Sequence, residues 1–412
     1  MIDRVYQRGI MMQNMKFPWS DNWWIEGDKA WFCGGEINAL FCMDMNSGQC
    51  DLIARIPECD FRGFRVYSYC IKSENMIFCL PGIASNIWCY DLKKEDWEKT
   101  EVGNKNQLCA FTNIYRQSSS SIWLLEDMAD RIFELDLKRK IVKKEYSFLA
   151  NESEFFDGGI LVKNELYGVV DNKVFCVNTK QTDIKVYEIA GIKSALATIC
   201  YDGHNFWISS FCKEIYIWNP KQGIVKTLTE FPNEFGIYNL NTNCPVLVDY
   251  DSLYSTGYPL FVISLDLGKY IWHIPLHSDE ILYIDKESYK IEILEIEGEQ
   301  ETKESLQRDF KVKYLVQYIR EDRYIGLYSF KRQLIFEIDT ESLCVKNRNY
   351  ELSDQAFLAI AQADGYYDGR RMFRERNEKD QIFFSALLSV NDKKKNNFSQ
   401  SVGRIIYHAL DE

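Results

Sequence analysis

Four histidines are all the chain has for imidazole chemistry: His204, His273, His277 and His408. Only two lie close together, in Trp272-His273-Ile274-Pro275-Leu276-His277. On a helix, that spacing would put both rings on one face and suit zinc. Pro275 argues against a helix, the stretch reads as strand running into loop, and no acidic motif goes with it. No metal site is expected. Paired carboxylates such as Glu126-Asp127 are the residue types of acid–base work on a glycosidic bond. Neighbours on one loop, however, seldom reach the separation that such chemistry needs. There is no glycine-rich phosphate loop and no nucleophile elbow. Gly158-Gly159 follows Asp157 but opens no helix, so it reads as the start of a strand. A nucleophilic cysteine would need a histidine beside it in space, and a cysteine inside a strand reads as core. No catalytic residue and no cofactor is expected.

The elements that would position a site repeat along the chain. In Tyr90-Asp91 an apolar residue precedes an Asp, and Trp97 follows six residues after it. The same frame holds for Met43-Asp44 with Cys50, Leu135-Asp136 with Val142, Val177-Asn178 with Ile184, Trp218-Asn219 with Val225, Ile284-Asp285 with Ile291, and Ile338-Asp339 with Val345. The markers at 44, 91, 136, 178, 219, 285 and 339 are 47, 45, 42, 41, 66 and 54 residues apart. A period in the forties is the length of one four-stranded propeller blade. An Asp or Asn side chain can bond the backbone two residues on and start a turn. Upstream of each marker lies an apolar strand, as in Ala30-Trp31-Phe32, Met76-Ile77-Phe78, Ile122-Trp123-Leu124 and Phe206-Trp207-Ile208, each preceded by a polar hairpin turn. Each unit reads strand, hairpin, strand, loop, strand, Asx turn, strand.

A single such sheet cannot cover both of its faces, whereas sheets stacked around an axis can. An aromatic content of 15% suits packing between blades. The expected fold is therefore an all-β propeller of seven four-stranded blades, with six or eight as alternatives, in one domain over residues 1–412.

The units resemble a degenerate kelch propeller. Gly34-Gly35 stands after Trp31-Phe32-Cys33, where kelch repeats carry a double glycine, and Tyr90 and Trp97 keep the kelch aromatic-to-Trp spacing. The resemblance spans about residues 20 to 350, although no unit carries all three features and six lack the glycine pair. It implies a propeller that binds other proteins, enzymes being the minority.

In a propeller, the loops from second to third strand share a face with the crossovers between blades. Arg62 and Arg65 in Arg62-Gly63-Phe64-Arg65, Asp157, Lys213 and His273 would stand there, around the mouth of the channel. They are the candidate contacts for a ligand or partner; the alternative is solvated loop residues.

A net charge of −12 gives no basic footprint for nucleic acid or for an anionic membrane surface. Thirteen cysteines, odd in number and never spaced CxxC, read as reduced thiols in a reducing compartment. Neither a signal peptide nor an apolar span is visible, so a cytoplasmic protein is expected.

Some stretches break the repeat. Residues 1–18 match no unit, and Trp19, Trp23 and Trp24 would belong to the first strand. The long gap between 219 and 285 holds an insertion or a decayed unit. Glu295 to Asp309 reads as an exposed charged loop or short helix, and Phe357-Leu358-Ala359-Ile360-Ala361 and Ile382-Phe383-Phe384 as strands. Val402, Ile405, Ile406, Ala409 and Leu410 recur at helical spacing, which predicts a short amphipathic helix over 399–412. The expected function is a non-enzymatic binding platform whose loop face recognises a protein or peptide. The alternatives are an enzyme or sensor holding a small polar ligand, such as a carbohydrate, in the channel mouth, or a stabilising subunit of an assembly.

Overall fold

The computed structural model describes residues 18–363 except 62, 64, 103–107, 127–130, 148–157, 182, 193, 237, 240–243, 248–258, 277 and 303–311. The second strand-pair expectation, Ile382 to Phe384, and the helix expected over 399–412 lie outside the described residues. Four-stranded antiparallel meanders follow one another along the chain: blade 1 (24–55), blade 2 (67–101), blade 3 (111–147), blade 4 (158–188), blade 5 (196–228), blade 6 (261–294) and blade 7 (314–348). Among the described residues no helix is long and apolar enough to cross a membrane.

The seven marker residues all do the expected work. Asp44 Oδ1 accepts the backbone N–H of Asn46 at 3.0 Å and of Ser47 at 2.8 Å. Asp91, Asp136, Asn178, Asp285 and Asp339 accept the same two bonds, and Asn219 accepts the first of them from Lys221. Each turn folds the fourth strand back in the expected register, with Met43 opposite Cys50, Tyr90 opposite Trp97 and Ile338 opposite Val345. Blade 5 departs by one residue: a bulge between Ile217 and Trp218 sets Trp218 opposite Ile224 instead of Val225.

First strands of neighbouring blades pack on one another and so line the axis. Second and third strands, sandwiched between two blades, are buried on both faces; Ser121–Glu126 and Phe206–Ser210 have no exposed residue. This is why they read as apolar runs and not as alternation. The apolar core divides into seven clusters, each shared by one pair of adjacent blades, including blades 7 and 1. An open stack of seven sheets has six seams, so a seventh means that the ring is closed.

Closure uses the two ends of the described chain. Trp23 N donates to Gln317 O at 2.6 Å, and its ring stacks on Phe32 at 5.0 Å and Tyr318 at 5.3 Å. Trp19 and Trp23 thus precede the first strand, Trp24–Glu26, and seal the seam with blade 7. Glu351–Leu352 then crosses to blade 1 and pairs in parallel with Gln49 and Cys50. Where a strand was expected at Phe357–Ala361 there is a helix, α1 (Asp354–Ala363). Ser353 caps it, its Oγ accepting Ala356 N at 3.2 Å, and Ala356 and Ile360, four apart, bury one stripe.

The surplus between blades 5 and 6 is an insertion, with Tyr238–Asn239 paired to Cys244–Leu247, so no eighth unit is present among the described residues. The charged stretch before blade 7 differs from expectation. Glu299 and Glu301 are buried, because Lys313 draws them under the blade edge.

Candidate functional site

The loops between second and third strands and the blade crossovers share one face, and that face is where the expected contact residues can be checked. Arg62 and Asp157 lie outside the described residues, as do His277 and Asp127. Arg65 ends the crossover from blade 1 to blade 2 with φ 51°. Its Nε donates to Asp21 Oδ2 at 3.0 Å, and its backbone N donates to Gly35 O at 2.7 Å. Gly35 N in turn donates to Trp19 O at 2.7 Å; a Cβ here would stand 2.6 Å from the Trp19 ring, so only glycine fits. Arg65 thus ties together three segments.

Lys213, in the loop of blade 5, donates from Nζ to Phe235 O at 3.0 Å and lies over the Phe235 ring at 5.5 Å. Burial pushes its ammonium pKa down. His273 was expected on a loop but belongs to the second strand of blade 6, Tyr270–Pro275, and is fully buried. Pro275 does not end the strand early, because it stands at the strand's last position. Burial draws the imidazole down to about 3, so it is neutral at physiological pH. His273 Nδ1 lies 2.7 Å from Ser264 Oγ, and that hydroxyl continues through Thr198 to Ser209 in blade 5, with Thr198 Oγ1 2.6 Å from Ser209 Oγ. Nε2 has no partner among the described residues. Arg65 stands apart at the crossover from blade 1 to blade 2, whereas Lys213 and His273 reach the same aromatic pair, Lys213 over Phe235 and the His273 ring 5.1 Å from Phe261, with those two rings stacked at 5.9 Å.

Glu126, one half of the carboxylate pair, is buried in a two-bond ion pair with Arg131, Arg131 Nη2 donating to Oε1 at 2.7 Å. A carboxylate held by guanidinium on both oxygens is poorly placed to shuttle a proton. Among the described residues no group of three or more His, Cys, Asp or Glu is placed to hold a metal ion.

Two features of the face escaped the sequence reading. Over the seam of blades 6 and 7, Lys313 Nζ sits 2.8 Å from Asp279 Oδ1, 3.3 Å from Glu301 Oε1 and 3.4 Å from Glu299 Oε2. Lys313 is 2% exposed. Ser329 Oγ donates to Glu299 Oε2 at 2.8 Å, and Tyr314 OH donates to Asp279 O at 3.0 Å. Burial pushes the Glu299 carboxyl up, with Lys313 opposing. The sequence signal was present as Asp279, Glu299, Glu301 and Lys313, but charges separated along a chain read as solvated until they are brought together.

Over blades 2 and 3 the face is apolar instead. Ala84 and Cys109 exchange backbone bonds, Ala84 N to Cys109 O at 3.1 Å and Cys109 N to Ala84 O at 2.8 Å. In that antiparallel bridge, Ile83 and Leu108 take diagonal positions on one side, and they are 52% and 63% exposed. Nearby, Arg55, Ile56, Pro57, Glu58, Cys59 and Asp60 line an open groove of ≈ 510 Å³. Ile56, Cys59 and Ala84 share the apolar cluster beneath.

No protein-family model matches the chain, and no curated protein matches it in sequence. Among solved structures it is similar to virginiamycin B lyase from Staphylococcus aureus, at 14% identity over 77% of this chain and 94% of that one, with a TM-score of 0.54. It is also similar to BamB from Moraxella catarrhalis, at 10% identity over 74% of this chain and 80% of that one, with a TM-score of 0.48. At 14% identity the likeness to the lyase is one of fold, and with its seven four-stranded sheets this chain is a seven-bladed β-propeller.

Proposed function

We propose that the chain is a non-enzymatic binding protein, acting as one propeller domain over residues 1–412, whose loop face recognises a protein or peptide. The observation that carries this reading is the Ile83–Leu108 pair. Two large aliphatic side chains stand exposed beside the Ala84–Cys109 bridge and near an open groove, while Arg65 and Lys213 are engaged in holding neighbouring segments. Apolar area fixed on a loop face is what a partner would cover. The kelch-like character is part of the same reading. It is supported by Gly35 seating Trp19 and by Tyr90 packing on Trp97 at 4.9 Å. A cytoplasmic setting is supported by the free thiols of the described cysteines.

The test uses immobilised full-length protein in cytosolic extract, with quantitative mass spectrometry of what is retained. Ile83→Glu with Leu108→Glu should abolish retention of a partner that the parent chain holds, while melting unchanged. Retention of the same proteins by both chains overturns the reading. A thermal shift of the parent chain with a carbohydrate, eliminated by Lys213→Met and untouched by the Ile83/Leu108 variant, would replace it with small-ligand binding.

A further inference from the structure

The fourth strand of each blade is the outer edge of its sheet, and an open edge offers unpaired backbone groups to any passing strand. Most of the blades blunt that edge. Blade 1 covers it with Glu351–Leu352. In blade 2 the strand Asp96–Glu101 carries Asp96, Glu98, Lys99 and Glu101. In blades 3 and 5 a bulge breaks the register of the fourth strand, at Glu134/Leu135 and at Ile217/Trp218. The edges of blades 6 and 7, Ile291–Leu294 and Val345–Arg348, are short.

Blade 4 does none of this. Its fourth strand, Ile184-Lys185-Val186-Tyr187-Glu188, pairs with the third in unbroken register. Ile184 is 36% and Val186 52% exposed, while Tyr187 turns to the other side and packs on Trp218 at 5.1 Å. The outward backbone groups can be assigned. Asn178 N donates to Asp183 O at 2.9 Å, so Asp183, Lys185 and Tyr187 turn their N–H and C=O to the third strand, and Ile184, Val186 and Glu188 turn theirs outward. No strand among the described residues pairs with that edge.

We propose that this edge is a self-association surface: two copies of the chain pair antiparallel along Ile184–Glu188, with Val186 opposite Val186 on a twofold axis, so that the two blade 4 sheets become one. Such an interface is self-complementary by symmetry. The register follows from the strand itself. Centring on Val186 lets Ile184, Val186 and Glu188 all bond the second copy. A shift of two residues either way carries one of the three past the end of the partner strand, and one of these shifts also sets Lys185 opposite Lys185, which costs stability. In the centred register no like charges face each other: Lys185 lies opposite Tyr187 and Ile184 opposite Glu188. Ile184 of each copy then lies diagonal to Val186 of the other, close enough for the exposed aliphatic side chains to cover one another. The contact is small, so the association is weak and concentration-dependent.

The experiment is sedimentation velocity of the full-length chain at increasing concentration. The expected result is a mass that rises from one chain to two. Val186→Lys, which would set an ammonium opposite itself, should hold the mass at one chain throughout with melting unchanged, whereas Val225→Lys, at a 46% exposed valine on the bulged edge of blade 5, should leave the rise intact. Val186→Cys should link copy to copy under mild oxidation, because Cα atoms of a hydrogen-bonded antiparallel pair lie about 5.5 Å apart, within disulfide reach. Ile184→Cys should not link to itself, since position 184 faces position 188. A parent chain that stays single at the highest concentration overturns the proposal, as does a dimer that survives Val186→Lys or one that links at 184 and not at 186. Protection of the Ile184, Val186 and Glu188 amides from hydrogen exchange in a chain that stays single would assign the edge to another segment of the same chain, and overturns it too.

Discussion

Two seams of one ring are filled in opposite ways. Between blades 1 and 2 lie Cys33, Cys70 and Cys79 with Trp31, Trp88 and Tyr90, and the adjoining loops over blades 2 and 3 carry exposed Ile83 and Leu108. Between blades 6 and 7 the strands are as apolar, but the rim is closed by Lys313 with Asp279, Glu299 and Glu301. Beside the first seam, exposed apolar side chains stand on the loop face. The second is capped by charges that satisfy one another and leave little to offer. The propeller geometry asks only that each seam be filled and its polar groups be paired. Neighbouring seams of one fold can therefore be specialised independently.

The largest effect that would sharpen this contrast is at Lys313. Lys313→Met takes away the buried ammonium shared by three carboxylates, leaving Glu299 with Arg332 at 4.0 Å, and should cost about 3–5 kcal/mol in urea unfolding, since removing one partner of a buried ionic group leaves charge uncompensated. Adding Glu299→Gln should recover part of the loss. A Lys313→Met chain as stable as the parent would remove the distinction between the seams. By comparison, Cys70→Ala in the sulfur seam should cost about 1 kcal/mol, in line with ordinary small core changes.

The charged rim and the turns should also answer to pH with opposite signs. Backbone donors hold the carboxyls of Asp44, Asp91 and Asp136 below their usual range, and Lys269 and Arg323 do so at Asp285 and Asp339. A lowered native pKa contributes stability above the unfolded value, about 3.9 for Asp, which is lost as pH falls through the native one. Melting temperature should therefore drop steeply below about pH 4. Glu299, raised by burial, acts the other way, taking up a proton more readily when folded and losing stability as pH rises through its shifted value. Glu299→Gln should flatten the profile above pH 4, and an unchanged profile would show that Lys313 already cancels the burial cost.

At a single turn the effect is smaller. Asp91→Ala should cost about 1 kcal/mol, the net worth of the backbone bonds it accepts. Asp91→Asn should be near neutral in the same melt, because Asn178 and Asn219 serve their blades with an amide oxygen. Equal losses in the two variants would mean that charge, and not the accepted hydrogen bond, holds the turn. Ile83→Glu or Leu108→Glu alone should move stability by no more than about 0.5 kcal/mol, as exposed positions do, while weakening partner retention.

How far the sequence could be read follows from the range of the interactions. The Asx turn needs a side chain and a backbone two residues on, so its chemistry lies within four letters of sequence; all seven turns were legible, and with them the strands, register and blade count. The one-residue shift at Trp218 was not, because a bulge is set by the neighbouring strand. The helix α1 was misread as a strand because Phe357 to Ala361 is apolar in a run, and only Ser353 marks the capped start. Of the candidate site, the loop residues could be named, but not their partners. His273 was assigned to a loop because Pro275 follows it, and the ring lies inside blade 6.

Local hydrogen bonding and two-residue periodicity are written in consecutive letters, so the amino-acid order already specified a repeating, closed, all-β architecture. Which side chains meet across a seam depends on rings and charges tens to hundreds of residues apart. Cys33 sharing one buried cluster with Cys70, Lys313 gathering Asp279 and Glu299, and Ser20 bonding Gln317 exist only once the blades are stacked. Those contacts are properties of the stacked ring, because burial and pairing are decided by what the neighbouring blade brings.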